Sequence, residues 1–171
     1  DPLFEIARYG EKLAASQPSF SPLKTSLDSP QTLIRNLIHE LTLALLDKHQ
    51  PEVVGISVPF PGNVLGAFQI AQTIRSKNPN IKTILGGGYV NTELRELRDP
   101  RIFDYFDFVT LDDGERPLLS ILENLSHPEN PPRFCRTFLR KDGSVVLEND
   151  PTLQNFSHRL TGTPTYSGLN T

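Results

Sequence analysis

The chain has 171 residues, 37% hydrophobic and 22% charged, with a net charge of -3, enough for one domain with a real core and an appendage. Its lysines and arginines are scattered, which leaves no basic stripe for a phosphate backbone, and its one cysteine, Cys135, provides neither a disulfide framework nor thiolates for zinc or an iron–sulfur cluster. No apolar run approaches the roughly 18 residues of a membrane helix and no apolar signal segment opens the chain, so a cytoplasmic protein without a nucleic-acid or membrane partner is expected.

Residues 1–28 scatter prolines and serines around one short helical pattern near 4–15 and are expected to form an irregular lead-in. The absence of methionine, including a first one, is what a piece of a longer chain would show. Ser29-Pro30 then predicts a helix start, with a side-chain oxygen to cap free amides and a proline at the first helical position. The helix is expected to run to about Lys48, with Leu33, Ile34, Leu37, Ile38, Leu41, Ala44 and Leu45 as one stripe covering a sheet face. His39 falls nearly opposite that stripe and reads as solvated.

Residues 51–123 read three times as buried strand, polar loop and helix. Val53-Val54-Gly55-Ile56-Ser57-Val58, Lys82-Thr83-Ile84-Leu85 and Phe108-Val109-Thr110-Leu111 are apolar, β-branched runs suited to strands covered on both faces. They end in Pro59-Phe60-Pro61-Gly62-Asn63, Gly86-Gly87-Gly88 and Asp112-Asp113-Gly114. Strands joined through helices run parallel by right-handed crossovers, so these three loops should share the carboxyl edge of one sheet, where open sheets bind ligands. The triple glycine either lets a large ligand lie against the backbone or makes a tight turn.

The intervening helices are expected over about 63–78, with Val64, Ala67, Phe68, Ala71 and Ile74 inward, over about 91–98 as a charged, solvated turn, and over about 115–125 with Leu118, Ile121, Leu122 and Leu125 inward. Phe103, Tyr105, Phe106 and Phe108 read as core. A proline-rich linker at 127–132 precedes Lys141-Asp142-Gly143, whose Asp-Gly pair between β-rich runs predicts a hairpin lying outside the ligand edge. The expected fold is α/β: a three-layer, flavodoxin-like (Rossmann-like) parallel sheet over 29–126, incomplete on its N-terminal side, followed over 127–171 by a linker, a C-terminal β-hairpin appendage and a connector.

Val54-Gly55-Ile56-Ser57, then Leu85-Gly86-Gly87-Gly88, then Phe108-Val109-Thr110-Leu111-Asp112-Asp113-Gly114-Glu115 together resemble the cobalamin-binding domain that precedes the radical S-adenosylmethionine domain of many bacterial enzymes. The resemblance spans about 52–169, with Thr163-Pro164-Thr165-Tyr166-Ser167-Gly168-Leu169 similar to the connector before the barrel. It implies that Ser57 bonds the cofactor's benzimidazole tail, that Gly86 and Gly87 are the paired glycines of the fourth strand with Gly88 extending them, and that Asp113, Gly114 and Glu115 form the loop after the fifth strand. Val58, Pro59 and Tyr89 complete the implied cofactor-binding set. Asp112 stands where the family has a glycine, and the first two strands of the usual five are missing before Val53. No Asp-x-His-x-x-Gly loop offers cobalt a histidine, and no Cys-x-x-x-Cys-x-x-Cys triplet is present, so an iron–sulfur cluster and S-adenosylmethionine would belong to the parent's own radical domain, a methyltransferase or oxidoreductase type. Cys135 reads as packing.

Other classes fit less well. The glycines lack the third member of a dinucleotide fingerprint, and no Gly-Lys-Ser or Gly-Lys-Thr loop is present. A hydrolytic elbow is also absent. A receiver-like signalling domain would carry aspartate and lysine where Ser57 and Asp112 stand. A structural or interaction α/β domain without cofactor remains the alternative.

Overall fold

The computed structural model describes residues 19–30, 32–157, 159 and 162, together with the backbone of a two-residue antiparallel ribbon, Phe4–Glu5 against Gly10–Glu11. That ribbon stands where a short helical pattern was expected near 4–15; Gly10, a poor helix former, falls inside the pattern. The connector expected over 163–169 lies outside the described residues. No helix among them is long and apolar enough to cross a membrane.

The fold is α/β, built on one five-stranded sheet of order β1-β2-β3-β4-β5: Val53–Ser57, Lys82–Gly86, Phe108–Thr110, Thr137–Lys141 and Ser144–Glu148. The first three strands are parallel, with Val53 opposite Lys82 and Ile84 opposite Phe108. β4 and β5 are the expected hairpin, and Asp142 and Gly143 at its tip both have positive φ, as the favoured two-residue turn requires. The C-terminal hairpin also extends the sheet. β4 pairs antiparallel with β3, so the sheet is mixed and continues through it.

Helices α1 (Phe20–Leu27) and α3 (Val64–Lys77) cover one face. Val58, Leu85, Val109 and Phe138 point into that layer and meet Ala67, Phe68 and Ala71. At its centre Phe106 stands edge-on to Phe68 at 5.0 Å, and Phe20 and Tyr105 close around the Phe68 ring at 5.7 and 5.2 Å, so Phe103, Tyr105 and Phe106 are core, while Phe108 is half-buried beside Phe134. The side chains that alternate to the other face include Ile84, Thr110 and Thr137, which are also buried. On that side α5 (Glu115–Ser126) inserts Ile121, and Ser120 Oγ accepts the Cys135 N–H at 3.3 Å, which fixes the start of the hairpin. Leu118, expected inward, is exposed.

Three helix expectations need correction. α1 was not foreseen, and Ser29 belongs to its end, donating from its hydroxyl to Ser26 O. α2 (Leu33–His49) therefore starts later than Ser29-Pro30, at a cap where Thr32 Oγ1 accepts the Arg35 N–H. Its leucine stripe does not cover the sheet: Leu33, Leu37, Leu41 and Leu45 are all exposed, Leu33 by 71%. The helix instead packs sideways on α3 through Thr42 and Leu46, while His39 is exposed as expected, with Nδ1 3.1 Å from Thr73 Oγ1 of α3. α4 (Gly88–Glu93) begins directly at the glycines rather than at Asn91 or Thr92.

Candidate functional site

Parallel pairing brings the three loops to one edge, as connectivity required. Backbone bonds then tie them together. Val58 N–H donates to Gly86 O at 2.8 Å, and Tyr89 N–H donates to Val58 O at 3.0 Å. From the third loop, Asp112 N–H donates to Asn91 Oδ1 at 2.6 Å.

The three glycines serve this closure. Gly87 has φ +104°, and a Cβ there would lie 2.6 Å from Val58 O and 2.9 Å from Ser57 Oγ. A Cβ on Gly88 would meet Pro59 O at 2.8 Å, and one on Gly86 would meet Thr110 Oγ1 at 2.9 Å. Their bare sides are thus occupied by the chain itself, the close backbone approach for which only glycine is small enough.

The glycine that faces open space is Gly55, where a Cβ would meet nothing within 4 Å. Strand alternation puts Val53, Gly55 and Ser57 on one face of β1, opposite Val54, Ile56 and Val58. Register adds Gly86 of β2 beside Ser57 on that face. Gly55 and Ser57 are exposed, so the upper end of β1 carries a shallow trough, bordered on its inner side by Ile84 opposite Gly55 and by Thr110 over Gly86. Just above it, Pro59-Phe60-Pro61 holds the Phe60 ring 70% exposed at the loop tip.

The third loop is braced by charge. Asp112 adopts φ +60°, the left-handed conformation that aspartate tolerates better than most residues, at the position where the cobalamin-binding family has glycine. Arg95 and Arg136 both pair with its carboxylate, and Arg136 also donates to Asp113 O at 3.3 Å. Asp113, Gly114 and Glu115 are exposed in this third loop.

Of the ten residues implied as cofactor-binding, Ser57 and the 113–115 loop are exposed, whereas Gly86 lies beside Ser57 but is covered by Thr110. Pro59 is exposed in the first loop, Gly87 and Gly88 are consumed in packing, and Val58 is buried in the core. Tyr89 lies on the opposite face, beside an apolar cavity of about 440 Å³ walled by Leu65, Phe68, Leu94 and Leu97. Burial there, and next the nearby Glu93, push its hydroxyl pKa up, so it stays a protonated donor. Sequence reasoning missed Gly55, Phe60, Asn91 and Arg136. Only Gly55 carried a signal, a glycine inside an otherwise β-branched strand. Among the described residues no three of His, Cys, Asp and Glu come together as a metal site.

Compared with known proteins, the chain matches no family model, no curated protein and no solved structure.

Proposed function

We propose that this chain is a cobalamin-binding module of a radical S-adenosylmethionine enzyme, with the corrin held at the carboxyl edge of the sheet and its tail lying in the trough beside Ser57. The observation that carries the reading is the trough itself. Gly55 leaves its face of β1 free of bulk where a flat aromatic base needs room, and the exposed Ser57 offers a hydroxyl beside it. Asp112, standing where the resemblance has glycine, holds a left-handed backbone that glycine also adopts freely, with its carboxylate engaged by Arg95 and Arg136. Phe60 and the 113–115 loop lie at the same edge and would border the macrocycle. Bound cobalamin would supply the cobalt chemistry, methyl transfer included, while these residues bind and orient it.

Titration of the chain with hydroxocobalamin, followed by visible absorbance, tests this. Ser57→Ala should weaken binding by about tenfold or less, the worth of one neutral hydrogen bond. Gly55→Val should weaken it more, because valine suits a strand and its Cβ meets no protein atom within 4 Å, so its branches project into the trough. Absence of binding, or a Gly55→Val variant that binds as tightly as the parent sequence, would favour a structural or receiver-like domain. The closed packing of Gly86 to Gly88 is the observation on that side.

A further inference from the structure

A second feature lies between α2 and α3, away from the glycine loops. Arg35, His39, Gln69, Gln72, Thr73 and Ser76 line a cavity of about 240 Å³. The wall contains one guanidinium, one imidazole, two carboxamides and two hydroxyls, and no carboxylate. We propose that it binds a small oxyanion, the phosphate or carboxylate group of a free metabolite.

The hydrogen bonds within the wall orient donors into the space. Thr73 Oγ1 donates to Gln69 O at 3.0 Å, so toward His39 it can only accept, and His39 Nδ1 carries the proton of their 3.1 Å contact. Gln72 Oε1 accepts from Arg35 at 3.0 Å, which leaves the Gln72 NH₂ as the free end of that amide. Arg35 spends a second donor on Ser29 O at 2.8 Å and keeps three more.

Gln69 is the decisive residue. It is only 8% exposed, yet its carboxamide has no hydrogen-bond partner among the described residues and opens onto the cavity. The amide atoms are not sealed off but remain reachable through the cavity mouth, so an entering ligand can bond them directly in place of water. A planar guanidinium beside free amide donors is the arrangement that recognises oxyanions.

Isothermal titration with inorganic phosphate and, separately, acetate at constant ionic strength reads the site. Saturable one-to-one binding of at least one of them is expected. Arg35→Gln and Gln69→Leu should each weaken it by about tenfold or more, the range for bonds to a charged group. Gln69→Leu should also unfold at the same or a higher temperature in anion-free buffer, which separates a ligand role from a structural one. If neither anion binds, or if both variants bind like the parent sequence, the cavity is a water-filled seam and the proposal fails.

Discussion

Strand β1 meets two different surroundings. On one face Val54 and Ile56 pack against Leu46, Ile70 and Ile74, and Val58 joins the main core. On the other face, one residue away each time, Gly55 and Ser57 are exposed. A single five-residue strand therefore holds the fold with alternate side chains and leaves the rest for contact with something else. The difference teaches that burial on the helical face suffices to anchor β1, so its other face is released from any packing duty.

Three substitutions can break or sharpen that contrast. The largest effect should come from the packed side: Phe106→Ala removes a fully buried ring packed edge-on against Phe68 and should cost about 3 to 5 kcal/mol in a denaturant titration. A loss under about 1 kcal/mol would mean that the core is not centred there. Next comes Gly87→Val, which combines a strained positive φ with contact against Val58 and Ser57, and should cost about 2 to 4 kcal/mol with no ligand present. Gly55→Val should change stability by no more than about 0.5 kcal/mol, or raise it, since a strand glycine is replaced by a strand former in open space. If Gly55→Val proved as damaging as Gly87→Val, the two faces would not differ as described.

Much of this layout was legible beforehand for simple physical reasons. Unbroken β-branched runs separated by helical spacing leave little choice but parallel strands, and Asp142-Gly143 supplies the left-handed pair that a tight hairpin needs. The Val64, Phe68, Ala71 and Ile74 stripe predicted its own burial because α3 has a sheet beneath it. The equally regular leucines of α2 misled, since periodicity identifies an apolar face but not what meets it. α1 escaped notice because Ser, Pro and Thr dilute its pattern. At the candidate site the glycines marked the right edge for a different reason: they accommodate the neighbouring strand's backbone, a distance no sequence spacing reveals. Arg136 was invisible because its partner Asp112 lies in another element.

The outer rim of β1 has a consequence for handling. Lys82 N–H reaches Glu52 O and Val58 N–H reaches Gly86 O, so in this parallel ladder the amides and carbonyls of Val53, Gly55 and Ser57 point away from β2. Among the described residues no strand pairs with that side. The strand itself contains no charged residue and the leucine row of α2 runs nearby, whereas the opposite edge strand ends in Glu148, paired with Lys141. Edge charges of that kind discourage neighbouring molecules from zipping on. Concentrated solutions should therefore cloud or thicken by growth from the β1 side, and a lysine introduced on that rim is the natural gatekeeper.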